Sequence, residues 1–129
     1  MRRLILRPLH QRMRGLAHYK NSFKALELGA GTGRSSRFFK LAFPQSQITV
    51  TDLSEPYLKN AQEKLQEFSG VDFMRADATA TPFKDESFDI VFTVFLFHEL
   101  PEEERKNVLK EAQRLLKPGG FFAAVDSAQ

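Results

Sequence analysis

The sequence predicts an α/β fold: a doubly wound parallel sheet of about five strands with helices packed on it. Three observations predict it. From residue 24 onward, short apolar or β-branched runs alternate with segments of helical period. The links between them are short and carry Gly, Pro or Asp. Residues 88–95 are almost wholly apolar, as a parallel strand covered on both faces must be.

Each element follows from its own residues. Residues 24–28 read as a strand running straight into Gly-Ala-Gly-Thr-Gly at 29–33. Residues 34–43 are helical, and Pro44 stops them. Residues 47–51 form a β-branched second strand. Ser54 caps a helix whose Leu58, Ala61, Leu65 and Phe68 share one stripe, and Gly70 ends it. Residues 71–75 make a third strand. A polar connection, 77–87, leads to the fourth strand at 88–95, with turn signals at Pro82 and Asp85. Pro101 opens the next helix, and Glu102, Glu103 and Glu104 suit the positive end of its dipole. Val108, Leu109, Ala112, Leu115 and Leu116 supply its apolar face; Lys-Pro-Gly-Gly at 117–120 ends it, and 121–125 is a fifth strand.

Composition bounds the function. The chain has 129 residues at 14.8 kDa, one domain's worth. It is 42% apolar and 27% charged with 7 Gly and 6 Pro, which excludes disorder, collagen and repeat arrays. No apolar run approaches the ~18 residues of a membrane-spanning helix. The absence of Cys rules out disulfides, thiolate zinc sites and cysteine catalysis. The 13 Phe fill an interior and say nothing about activity.

The net charge of +3 hides an asymmetry. Arg2, Arg3, Arg7, Arg12, Arg14, Lys20 and Lys24 face no acid before residue 25, whereas the remainder is acidic. Residues 1–23 are therefore read as a basic amphipathic arm, with Leu9, Met13, Leu16 and Ala17 on one helical face, and 24–129 as the domain. The arm is a solvated helix, a contact for nucleic acid or an anionic surface, or a mitochondrial presequence. The apolar run at 4–6 is too short for a secretory signal, so the expected compartment is cytoplasmic, with mitochondrial as the alternative.

In a doubly wound sheet ligands bind at the carboxyl ends of the strands, which directs attention to four places. Gly29, Gly31 and Gly33 follow a strand and open a helix, so backbone can approach a ligand closely. Their G-x-G-x-G spacing does not match the dinucleotide G-x-G-x-x-G. Glu27 alternates with Leu26 and Leu28 on a central strand, where a carboxylate needs a partner. It would repel a pyrophosphate by roughly 1 to 4 kcal/mol at 4 Å and attract a cationic ligand; otherwise it pairs with backbone N–H groups. Asp52 ends the second strand beside the glycine loop, placed to accept from ribose hydroxyls or to sit at a helix N-terminus. Asp77 ends the third strand, placed for an adenine amino group or for capping its own loop.

Together these residues resemble the class I S-adenosylmethionine-dependent methyltransferases, most closely the broad small-molecule (type 11) group. The likeness rests on Ala-Leu-Glu-Leu-Gly-Ala-Gly-Thr-Gly at 25–33, Asp52, Ala-Asp-Ala at 76–78, Phe-Asp-Ile-Val at 88–91 and Leu-Leu-Lys-Pro-Gly-Gly at 115–120. It covers residues 24 to 126. It implies a Rossmann-like sheet in the order 3-2-1-4-5, lacking the family's last two strands. It also implies a cofactor, S-adenosylmethionine, with S-adenosylhomocysteine as product. Glu27, Gly29, Ala30, Gly31 and Gly33 would hold its methionine end, Asp52 the ribose, and Asp77 with Ala78 the adenine, with Leu53 a further cofactor contact. Phe95 to His98 would line the floor where the methyl group leaves.

The fifth strand would be an edge, a site for self-association unless a longer chain or a partner covers it. His98 is the candidate general base, or a structural histidine. The fourth position after it is Glu102, which removes a H-E-x-x-H metal site, and no metal is expected. The leading expectation is methyl transfer to an unidentified small molecule. A non-catalytic cofactor-binding or interaction module is the alternative, and the glycine spacing with Glu27 disfavours an NAD-dependent oxidoreductase.

Overall fold

The computed structural model describes residues 22–94 and 99–125. Five parallel strands, β1 (Lys24–Glu27), β2 (Gln47–Asp52), β3 (Val71–Arg75), β4 (Phe88–Val94) and β5 (Leu116–Val125), lie in the order β3-β2-β1-β4-β5. Three helices, α1 (Arg34–Ala42), α2 (Glu55–Lys64) and α3 (Glu102–Leu115), connect them. The predicted fold class and strand order are the observed ones. Among the described residues no helix is long and apolar enough to cross a membrane.

The period-2 alternation of the strands sorts the core onto two faces. Ala25, Ile48, Val50, Ile90 and Phe92 pack with Phe39 of α1 and with Leu58 and Ala61 of α2. Leu26, Leu28, Phe88 and Val91 pack with Val108, Ala112 and Leu115 of α3. Phe39 stacks on Phe92 at 4.8 Å between centroids, and Phe23 meets Phe43 edge-on at 5.4 Å. Such ring pairs add about 0.5–1.5 kcal/mol each beyond the area they bury.

Ser54 caps α2, its Oγ accepting from the Tyr57 N–H at 3.2 Å, as its sequence context predicts. Two expectations for α3 need correction. Leu109 is 46% exposed, while Glu111 turns inward with Val108, Ala112 and Leu115. The inward stripe follows i, i+3, i+4 and i+7 from Val108, and Leu109 falls off it. The strand β5 also begins earlier, at Leu116, which pairs with Phe88 before Phe121 pairs with Ile90. Residues 117–120 thus bulge opposite Asp89 instead of separating helix from strand.

Candidate functional site

The parallel register brings the carboxyl ends of β1, β2 and β3 to one rim of the sheet. Glu27 ends β1 opposite Val50, Asp52 pairs with Arg75, and Asp77 follows two residues later, one strand further out. The alternation that sends Ala25 toward α1 sends Glu27 there too.

Glu27 is wholly buried. Its Oε2 accepts from Ser35 Oγ at 2.5 Å and its Oε1 from Ser36 Oγ at 2.6 Å. Both serines lie in the first turn of α1, which has no acid of its own, so the carboxylate also meets the positive end of the helix dipole. Burial pushes Glu27 up to about 7; the two serine hydroxyls pull against that shift, and the nearby Asp52 charge adds to it. Among the described residues its hydrogen bonds come from hydroxyls, not from backbone N–H groups.

The loop after β1 is pinned on both sides. Leu28 N–H donates to Phe92 O and Ala30 N–H to Thr51 O, each at 2.9 Å. Thr51 Oγ1 donates to Glu27 O at 2.7 Å and Thr93 Oγ1 to Leu28 O at 2.8 Å, both hydroxyls buried. Gly29, Gly31 and Gly33 all take positive φ. At Gly33 a Cβ would come within 2.7 Å of the Ala61 backbone, so this glycine lets α1 approach α2. At Gly31 a Cβ would meet no described residue within 4 Å, so the turn is open at that point among the described residues.

Asp52 ties this turn to the next helix. Its Oδ2 accepts from Gly31 N–H at 2.8 Å and its Oδ1 from Ser54 N–H at 2.9 Å. Leu53 is 57% exposed, and its carbonyl accepts from Arg75 Nε at 2.9 Å. Asp77 Oδ1 accepts from Thr79 N–H at 2.8 Å and Thr79 Oγ1 at 2.7 Å, so this residue does cap its own loop. Ala78 packs on the α3 side of the core.

Glu27, Gly31 and Asp52 therefore come together, with Leu53 beside them and Asp77 further along the rim. Phe95 and His98 lie outside the described residues. The sequence reading missed Ser35, Ser36, Thr51 and Thr93. One signal was available for the first two: adjacent serines opening a helix that has no first-turn acid, eight and nine residues after a carboxylate that needs a donor.

This strand order, a glycine turn leaving β1, and acids ending β1 and β2 define the class I S-adenosylmethionine-dependent methyltransferase architecture. The family profile described as "Methyltransferase domain" matches residues 25–120, and the chain belongs to that family. It is similar to the demethylmenaquinone methyltransferase of Staphylococcus aureus, at 35% identity over 107 residues, covering 82% of this chain and 44% of that protein. It is 34% identical over 103 residues to the phthiotriol/phenolphthiotriol dimycocerosates methyltransferase of Mycobacterium tuberculosis, covering 80% of this chain and 37% of that one. The fold also matches Haemonchus contortus phosphoethanolamine N-methyltransferase 1, solved with phosphoethanolamine and S-adenosylhomocysteine. There the TM-score is 0.75 at 23% identity, over 92% of this chain and 25% of that one. The chain spans about two fifths of the length of these curated relatives.

Proposed function

We propose that the chain binds S-adenosylmethionine and directs its methyl group to a small-molecule acceptor. One observation carries this reading: Glu27 is a fully buried carboxylate held by neutral hydroxyls, next to a glycine turn that is open at Gly31 among the described residues. An anionic pyrophosphate would be repelled there, and a ligand bearing an ammonium and a sulfonium would be drawn in.

The other residues fit the same ligand. Each Asp52 oxygen accepts one backbone N–H, and a carboxylate has about four acceptor positions, so ribose hydroxyls can still be bound. Leu53 offers apolar surface to a base, and Asp77 with the Ala78 backbone offers its polar edge. The backbone of Gly29, Ala30, Gly31 and Gly33 would follow the methionine end. Phe95 would line the floor, and His98 would serve as general base where an acceptor must lose a proton. When bound, the cofactor supplies a methyl group already activated for displacement. The chain's own task is to align the acceptor and exclude water, which can supply roughly 7 to 11 kcal/mol.

The acceptors named for the relatives, a demethylmenaquinone and phthiotriol dimycocerosates, support an apolar small molecule here. The same reading includes pairing of a second copy along β5, an outer strand of the described sheet, and an anionic contact for the basic residues before 24. Light scattering tests the pairing.

Calorimetric titration with S-adenosylmethionine, S-adenosylhomocysteine and NAD tests the cofactor. The two sulfur ligands should bind and NAD should not. Asp52→Ala should weaken that binding by about 1.5–3 kcal/mol with unchanged circular dichroism. Binding of NAD alone, or of none of the three, would contradict the reading.

A further inference from the structure

We propose that Glu111 is a positioning residue for the nucleoside end of the site, holding the β3–β4 connection from α3 so that Asp77 and Ala78 present one fixed recognition edge. The proposal rests on the cofactor reading above and adds to it a residue on the opposite face of the sheet from Glu27.

The connection from Ala76 to Ser87 contains no helix and no strand beyond the isolated bridge between Asp77 and Ala80. A segment of this kind stays in one place only if something outside it holds it. The bonds of Asp77 to Thr79, and of Ala80 N–H to Asp77 O at 3.0 Å, shape the turn and fix nothing relative to the sheet. At its start Ala76 N–H donates to Asp52 O of β2 at 3.2 Å, and Ala78 and Phe83 pack on the core. Beyond Ala80, among the described residues, the long-range hydrogen bonds come from α3. Glu111 Oε2 accepts from both Thr81 N–H at 2.7 Å and Thr81 Oγ1 at 2.6 Å. Arg114 grips the same carboxylate with two nitrogens, Nε to Oε1 at 3.0 Å and Nη2 to Oε2 at 2.7 Å. Its Nη1 reaches Asp85 Oδ1 at 2.8 Å, a second point on the connection. The Arg114 and Leu115 carbonyls then accept from Glu86 and Ser87 N–H, each at 2.9 Å.

Burial shows what the charge is for. Glu111 is 8% exposed on a stripe with Val108, Ala112 and Leu115, a position that packing alone would fill with an apolar side chain. Among the described residues, the hydrogen bonds its carboxylate accepts come from Thr81 and Arg114. Thr81 is four residues beyond Asp77, so the grip fixes where the Asp77 turn sits above the rim.

The experiment uses the full 129-residue chain and two probes, S-adenosylhomocysteine and its inosine analogue, in which a carbonyl replaces the adenine amino group. The wild-type chain should prefer the adenosyl ligand by about tenfold or more, because Asp77 can accept from an amino group and not from a carbonyl. Glu111→Ala should bring the two dissociation constants to within about threefold of each other. Thr81→Val, which removes one donor and leaves the Glu111–Arg114 pair, should move the ratio the same way by less, and it decides the matter if Glu111→Ala does not fold. A purely structural role would lower the melting temperature and leave the ratio unchanged. Asp77→Ala separates the two levels. If it leaves the ratio intact, the adenine reading and this proposal both fall. If it collapses the ratio while Glu111→Ala and Thr81→Val do not, the positioning role alone is overturned.

Discussion

Glu27 and Glu111 are both buried carboxylates, yet burial pushes Glu27 up to about 7 while Arg114 holds Glu111 down at about 2. Their hydrogen-bond donors make the difference. Glu27 is met by two neutral serines at the end of β1, just before the glycine turn. Glu111 is met by a guanidinium that grips both of its oxygens. A buried acid with its own cation is complete and works as a fastener. A buried acid without one costs the fold stability unless a cation arrives from outside. On the proposed reading, the comparison separates a part of the molecule that holds shape from a part kept for a ligand.

The largest effect should come from removing the charge at Glu27. Between pH 4.5 and about 7 the folded chain keeps a proton there that the unfolded chain has released, so the contribution of this group to stability is full below 4.5 and lost as pH rises through about 7. The loss is about 3 kcal/mol. Without ligand, Glu27→Gln should therefore be more stable than wild type at pH 8 by about that amount and close to it at pH 4.5. Urea denaturation at the two pH values checks this; an equal gap at both would show that Glu27 does not titrate in the window.

Glu111 should behave in the opposite sense. Its depressed value contributes stability above pH 4.5 that is lost as pH falls through about 2. Glu111→Gln should cost about 1–3 kcal/mol at pH 7, a range set by charge-assisted hydrogen bonds and discounted for the partial exposure of Arg114. The gap should close on acidification to pH 2. Acid titration of both proteins by circular dichroism would expose a gap that persists.

Much of this was legible in the sequence, and the reason differs by region. The strands and helices carry local signals: the apolar run of β4, Ser54 before α2, Pro101 before α3. The glycine turn and Glu27 lie within seven consecutive residues, 27–33, so a strand period and a spacing were enough to mark them. Asp52 was marked by its place at the end of β2, although its bond to the Gly31 N–H needed the fold. The fastener was not legible. A glutamate on a helix reads as an outward residue, and its partner Thr81 lies 30 residues away. Leu109 was the converse error, an apolar residue placed inward by type when the stripe from Val108 to Leu115 leaves it in solvent.

That exchange on α3 gives the smallest prediction. Leu109→Gln should change stability by less than about 0.5 kcal/mol, since the side chain is exposed and belongs to neither core cluster. Thermal unfolding of this variant beside Glu111→Gln would rank the two positions directly. A larger loss at 109 than at 111 would reverse the assignment of the α3 faces.

If Glu27 serves a cationic ligand, as proposed above, the affinity for S-adenosylmethionine must follow its ionisation across pH 5.5 to 8. A cation settling beside Glu27 favours the ionised carboxylate, so binding below about 7 must release its proton. Calorimetry in buffers of different ionisation enthalpy should show that release. The affinity should rise with pH, approaching tenfold per unit at the acid end, and level off above about 7. In Glu27→Gln the affinity should be weaker and flat. A wild-type affinity that is independent of pH, with no proton released, would contradict the account.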